Sequence, residues 1–252
     1  MMENQARVPV VGAGANAAKT GKVTLLLLPG MDGTGLMFSP FIAAIGGRCK
    51  LTVVRYPTTQ PMGYAGLEGL ARDAMPTDEP FVLLGESFSG PIAVALAASA
   101  PPNLIGLVLC CTFVRNPRPR LAVLRPLVTR LPARAAPAAL VHWAVLGRFS
   151  TAELRAAIDN AVAQVSPFVM RERLLSIMSV DVSDKLAAVT VPMLYLRASH
   201  DRLIPAAASR LMSQLRPDLR VVDVDAPHGL LQAVPSQAAQ RIEAFVREVR
   251  ET

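Results

Sequence analysis

Ser87 stands in the stretch Leu83 to Gly90, LLGESFSG, where an apolar run ends in two serines set between glycines. A serine hydroxyl is a weak nucleophile until a base takes its proton and a third group orients that base. The chain holds three histidines that could serve. His228 lies in DAPHGLL (Asp225 to Leu231), after the last apolar run and before the closing helical pattern. His200 directly precedes Asp201, and as the base it would lack an acid in the expected place. His142, beside Trp143, suits a packed or surface position. Ser87, Asp201 and His228 each follow an apolar run, and their order along the chain is one of the known triad orders. Among the other carboxylates, Asp181 and Asp184 fall before the run leading to Asp201, while Asp223 and Asp225 lie on or beside the run leading to His228. Asp201 is preferred because it can reach the histidine from a neighbouring loop, and Asp225 is the reserve. The chemistry of such a set is acyl transfer through a covalent intermediate.

A nucleophile displayed this way needs a sharp strand-to-helix turn, written G-x-S-x-G, with small residues on either side of a strained serine. Gly85 supplies the first glycine; Ser89 occupies the second position and Gly90 follows one step later. On the hexapeptide alone a second reading stands, in which Ser87 or Ser89 caps a helix and the glycines only turn the chain. Acyl transfer also requires donors for the developing oxyanion. PGMDGTG (Pro29 to Gly35) offers them: its glycines let backbone amides turn toward Ser87, with Met31 N–H and Phe88 N–H as the expected pair. A phosphate-cradling role does not fit, because the Lys-Ser/Thr ending of a P-loop is missing.

These residues must be positioned by an alternation of apolar runs and helical patterns. Strands are expected at 23–28, 51–57, 81–85, 104–114, 191–197 and 219–225, with helices at 39–45, 64–74, 91–100, 205–215 and 230–249. Near-continuous apolar strands separated by helices imply a mostly parallel sheet covered on both faces, an α/β fold. From Asn116 to Thr190 no strand is expected, and 75 residues exceed what one crossover needs. This stretch reads as a helical cap insertion, with a capping box Ser150 to Glu153 opening a helix to about Val165 and a further helix from Pro167 to Met178. The expected organisation is a flexible tail over 1–20, a core over 21–115 and 191–252, and the cap over 116–190. Leu121, Leu124, Leu127, Leu131, Trp143 and Leu146 either roof an acyl pocket or form the cap's own core.

Bulk properties narrow the partners. The 252 residues, 52% of them hydrophobic, can bury a full core, but Pro, Gly and Arg interrupt every apolar stretch before it reaches the roughly 18–20 residues of a spanning helix. The N-terminal stretch lacks the pattern of a secretory signal. The three cysteines, Cys49, Cys110 and Cys111, have no metal-like spacing, which suits a reducing, cytoplasmic setting. The net charge of +7 is uneven: Arg115 to Phe149 carries seven arginines and no acidic residue. That stretch is either a solvated basic surface or an attractor of anionic substrates, an acidic protein or anionic lipid. Nucleic acid fits poorly, since interleaved aromatics are missing.

Taken together, PGMDGTG, GESFSG, the helical insertion, RASHDRLIP (Arg197 to Pro205) and DAPHGLLQAVP (Asp225 to Pro235) resemble the α/β-hydrolase superfamily over essentially Lys22 to Val249. Within it the chain is similar to the small soluble serine esterases and lipases, and PGMDGTG, GESFSG and PHGLL are also similar to the acyltransferase-like branch that makes fatty esters in plastids. The resemblance implies Ser87 as nucleophile, Asp201 as acid, His228 as base, Met31 and Phe88 as oxyanion residues, and Gly30, Gly85, Ser89 and Gly90 as supporting turns, with no metal or cofactor. Two positions depart from the pattern. Pro29 replaces a histidine common before the oxyanion glycine, and Ser89 replaces the usual glycine of the elbow. The expected activity is hydrolysis of a small-molecule carboxylic ester. Acyl transfer or thioester hydrolysis by the same triad, and a non-catalytic binding protein on the same fold, are the alternatives.

Overall fold

The apolar runs form six parallel strands, β1 (Thr24–Leu28), β2 (Lys50–Val53), β3 (Phe81–Glu86), β4 (Leu104–Cys110), β5 (Met193–Ala198) and β6 (Arg220–Val224), in the spatial order β2-β1-β3-β4-β5-β6. This computed structural model describes residues 22–130 and 136–251. The expected tail over 1–20, together with Leu131, Pro132 and Arg134, lies outside the described residues.

The sheet is apolar on both faces because helices cover both. Leu25 and Leu27 of β1 pack with Phe41 and Ile45 of α1 (Ser39–Ile45) and with Ile242 and Phe245 of α11 (Pro235–Glu251). Leu26 and Leu28 point the other way, into a second cluster with Leu67 of α2 (Tyr64–Asp73), Ile92 and Leu96 of α3 (Gly90–Ala98) and Met212 of α9 (Ala206–Leu215). This alternation of successive side chains between faces is the period-2 geometry of a strand.

Between β4 and β5 the described residues hold helices and no strand: two 3-10 segments (Pro119–Leu124 and Gly147–Phe149), α4 (Arg125–Arg130), α5 (Ala138–Val145), α6 (Ala152–Ala163), α7 (Pro167–Ser179) and α8 (Ser183–Ala187). The two ends of the stretch are pinched together at an isolated antiparallel bridge, Arg115 to Asp181, flanked by Asn116 N–H on Val180 O at 3.0 Å and Val182 N–H on Val114 O at 2.7 Å.

Four local expectations shift, the first two being the strands expected at 51–57 and 104–114, which end at Val53 and Cys110. Thr151, not Ser150, caps α6: its backbone is extended and its hydroxyl accepts from Leu154 N–H at 3.2 Å. The expected closing helix divides into α10 (Leu230–Ala233) and α11, because Val234 precedes a proline and leaves the helical region at φ −132°.

Candidate active site

The strand order reverses between β1 and β3, and in open parallel sheets the crevice beyond the carboxyl ends at such a reversal is where ligands bind. The turn after β1 begins at Pro29, and β3 ends at Glu86, one residue before Ser87. Ser87 has φ 48°, the left-handed region that a non-glycine residue avoids unless its surroundings impose it. The surroundings are specific. The Thr112 hydroxyl, just past β4, donates to the Ser87 carbonyl. A Cβ on Gly90 would lie 1.9 Å from Thr112 Oγ1, and one on Gly85 would lie 2.7 Å from the Ala93 Cβ. The close approach that the elbow needs therefore falls on Gly85 and Gly90.

Ser89, the departure from the motif, is fully buried, and its hydroxyl donates to the Pro29 carbonyl. That leaves its oxygen to accept from the Tyr56 hydroxyl at 2.8 Å. A side chain at this position is thus accommodated without opening the elbow.

Ser87 Oγ lies 2.8 Å from His228 Nε2, and His228 Nδ1 lies 2.8 Å from Asp201 Oδ2. Asp201 Oδ1 accepts from the N–H groups of Leu203 and Ile204, each at 2.8 Å, so the loop after β5 fixes the carboxylate. With a carboxylate facing it, Nδ1 carries the proton and Nε2 is free to accept from the serine. Burial alone would push the His228 pKa down; the charge and hydrogen bond of Asp201, with the charge of Glu86, outweigh it and raise the pKa above its ordinary value.

The competing residues are engaged elsewhere. Asp225 pairs with His200 at 2.7 Å and Arg148 at 3.0 Å, Asp223 with Arg197, and Asp181 with Ser183 N–H at 2.9 Å. Asp184 lies in the first turn of α8. His142 sits 2.8 Å from Asp159 in the helical stretch.

Gly30, Met31, Phe88 and the triad's Ser87 and His228 all line one cavity of about 550 Å³. Its wall is mostly apolar and drawn from α5, α6 and α7, with Val141, Val145, Ile158, Ala161, Leu174 and Ile177 among its residues. Of the insertion residues singled out from the sequence, only Leu121 lines it among the described residues. Leu124, Leu127 and Trp143 are exposed, and Leu146 is buried.

Five residues around the site carry no motif of their own. Glu86 accepts from Gln232 Nε2 at 2.9 Å, and burial pushes its pKa up to about 7 against the opposing effect of that bond. Arg173 reaches from α7, fully buried, to the carbonyls of Met31, Asp32 and Pro57 at 2.8 Å each. Tyr56 and Thr112 hold the elbow as described above. Only the tertiary structure brings these five together.

Among known protein families, the one described as "Serine aminopeptidase, S33" matches residues 68–226. Phytyl ester synthase 1, chloroplastic, from Arabidopsis thaliana is 30% identical over 115 residues, 43% of this chain but only 16% of that protein. RutD from Azorhizobium caulinodans is 26% identical over 246 residues, 89% of this chain and 91% of that one. Among solved structures, an esterase from Thermogutta terrifontis superimposes with a TM-score of 0.75 at 22% identity, over 92% of each chain, which is a likeness of fold.

Proposed function

The chain belongs to the serine aminopeptidase S33 family within the α/β-hydrolase superfamily and carries a serine-hydrolase triad, and on that basis we propose that it hydrolyses carboxylic esters of short to medium acyl length through a covalent acyl-enzyme. The observation that carries the reading is Ser87 Oγ, 2.8 Å from its base, on the wall of an apolar cavity of about 550 Å³, within the size range of small-molecule sites. Residues 116–190 act as a cap over that cavity, and 21–115 with 191–252 form the catalytic core.

In this mechanism Ser87 Oγ attacks the ester carbonyl carbon while His228 Nε2 takes the hydroxyl proton. Asp201 stabilises the imidazolium, and Met31 N–H and Phe88 N–H hold the oxyanion of the tetrahedral intermediate. The intermediate collapses as His228 returns the proton to the departing alcohol oxygen. Water, deprotonated by His228, then attacks the acyl-serine and releases the acid, and the proton returns to Ser87. Ser87→Ala, verified as folded, is expected to lose roughly 10⁴-fold or more of p-nitrophenyl butyrate turnover. A fluorophosphonate should label the parent at Ser87 and leave the variant unlabelled; undiminished turnover in the variant would falsify the assignment.

Acyl transfer to an alcohol is the second reading, favoured by the 30% match to a plant ester synthase over 115 residues. The triad step is the same, and an alcohol replaces water in deacylation, with a thioester as an acceptable acyl donor. Incubating an ester or acyl thioester with and without a long-chain alcohol separates the two, since transfer yields a new ester at the expense of free acid.

The arginine-rich stretch is expected to draw an anionic substrate or an anionic lipid surface toward the cap. Arg120, Arg125 and Arg130 are exposed on it, although Arg118 and Arg148 are also engaged within the protein. KM for an anionic ester should rise with ionic strength while that of a neutral ester stays constant. Among the described residues no helix is long and apolar enough to cross a membrane. The buried free thiols of Cys49, Cys110 and Cys111 support a reducing, cytoplasmic setting.

A further inference from the structure

Five consecutive carbonyls of the turn after β1 each accept a hydrogen bond. Pro29 O accepts from the Ser89 hydroxyl, Gly30 O from Gly33 N–H at 3.1 Å, Met31 O and Asp32 O from Arg173 Nη1 at 2.8 Å each, and Gly33 O from Tyr56 N–H at 2.8 Å. All described peptides are trans, so N–H and C=O of each unit point in opposite directions. Holding a carbonyl therefore aims the amide on its other side, and the bond on Gly30 O sets the direction of Met31 N–H.

The unit just ahead of it, the Pro29–Gly30 peptide, lies between two residues of the elbow hexapeptide. Its oxygen is held by Ser89. Its Gly30 end lies against the Glu86 carboxyl, whose Oε2 is 3.9 Å from where a Cβ on Gly30 would stand, and the Gly30 N–H favours the charged form of that group. Gln232 Nε2 braces Glu86 at 2.9 Å and simultaneously donates to Met37 O at 3.1 Å, tying the carboxyl to the segment before α1 and to α10.

We propose that Glu86 and Ser89 are positioning residues that aim the oxyanion turn, Ser89 through the Pro29 carbonyl and Glu86 through the Gly30 amide, so that the elbow hexapeptide presents the nucleophile and orients the donor opposite it. The inference rests on Ser87 being the nucleophile and Met31 N–H an oxyanion donor. It assigns a purpose to the serine that replaces the usual glycine: its hydroxyl supplies an anchor that glycine lacks.

Glu86 also makes the anchor sensitive to pH. The charged groups facing it are Asp32 on the turn and His228 after β6, with the Gln232 amide on α10 and the Cys110 thiol at the end of β4 beside it. Protonating Glu86 removes the charge that holds Gly30 N–H, and protonating His228 removes the base. On the acid side one proton, on His228, thus abolishes activity, and a second, on Glu86, lowers it to the level of a neutral side chain.

The experiment measures kcat, KM and alkyl-boronic-acid affinity for Ser89→Ala and Ser89→Gly, each normalised to the sites labelled by a fluorophosphonate, so that misfolded protein does not count. Expected is a fall in kcat of about tenfold or more, short of the roughly 10²–10³ of an outright lost donor, with KM near the parent and boronate binding weakened in parallel. Unchanged kcat and boronate affinity per labelled site would overturn the role of Ser89. For Glu86, the acid limb of log kcat/KM should be steeper than 1 in the parent, through the region where Glu86 titrates, and 1 in Glu86→Gln, with a lower plateau in the variant. A slope of 1 in the parent, or an unchanged limb in the variant, would overturn the role of Glu86. If the parent is not labelled at Ser87, the underlying triad reading fails instead, and the two failures are thereby told apart.

Discussion

At the scale of single residues, the site is set by what each polar atom has left to do. Asp201 spends Oδ1 on two loop amides and Oδ2 on His228 Nδ1, so one carboxylate is held in place and in turn holds the imidazole. Asp201→Asn is expected to lose about 10³–10⁴-fold in kcat with KM little changed, because an amide can present N–H to Nδ1 and favour the wrong tautomer; steady-state kinetics on a soluble ester checks it. Glu86 carries a stability signature as well. Its carboxyl, with a usual pKa of 4.5, titrates near 7 in the folded protein because burial disfavours the charge. The folded state therefore binds this proton more tightly than the unfolded chain, and stability is lost as pH rises from about 4.5 through 7. Glu86→Gln escapes that loss. Its stability relative to the parent should climb by about 3 kcal/mol between pH 4 and pH 8 in urea unfolding, at roughly 1.4 kcal/mol per pKa unit.

At the scale of elements, the elbow depends on how closely α3 approaches β3 and the segment after β4. Thr112 fills the space beside Gly90 and donates to the Ser87 carbonyl, so the same contact fixes the helix and the strained residue. Gly90→Ala places a methyl 1.9 Å from Thr112 Oγ1, where no rotamer relieves it. A destabilisation of about 1–3 kcal/mol is expected from overpacking, together with a loss of kcat as the Ser87 carbonyl loses its partner. Urea unfolding and site-normalised kinetics measure the two. Helix α7 acts at a distance from its own sequence, since Arg173 crosses from the insertion and donates to two carbonyls of the turn after β1, Met31 and Asp32, and to that of Pro57 after β2. Burial lowers the pKa of this guanidinium, but three carbonyl partners compensate for its transfer from water.

For the whole molecule, the helical stretch and the catalytic loops are fastened together. Arg118 Nε donates to Leu203 O at 3.1 Å, Arg202 Nη1 to Trp143 O at 2.9 Å, and Gly229 N–H to Val145 O at 3.0 Å. These bonds join α5 and the start of the 3-10 segment Pro119–Leu124 to the loops carrying Asp201 and His228. The cavity is thus walled by an element that is also bonded to the loops of the triad. Its occupant should be measured by its walls. Ala161 is buried on α6 and lines the cavity, and Ala161→Phe fills part of the 550 Å³. The kcat/KM for p-nitrophenyl octanoate relative to butyrate is expected to fall about tenfold or more, since each misfitted methylene costs on the order of 1–3 kcal/mol. An unchanged ratio would place the acyl chain elsewhere.

The sequence by itself determined the parallel sheet and the order Ser87, Asp201, His228, because apolar runs and local turn chemistry are written in neighbouring residues. It also marked 116–190 as helical, through the absence of strand patterns and the presence of caps. Only the tertiary structure decided that the cavity is walled by α5, α6 and α7 rather than by Leu124, Leu127 and Trp143, since which face of a short helix is buried depends on what packs against it. It alone decided that Asp225 belongs to His200 and Arg148. The same holds for Glu86, Ser89, Tyr56, Thr112 and Arg173, whose partners lie on other strands and helices. Hydrogen bonds between elements follow from the distance at which those elements meet, and that distance is a property of the packed molecule. Ser89 shows the difference most plainly: along the chain it is a missing glycine, and in space it is the hydroxyl that holds Pro29.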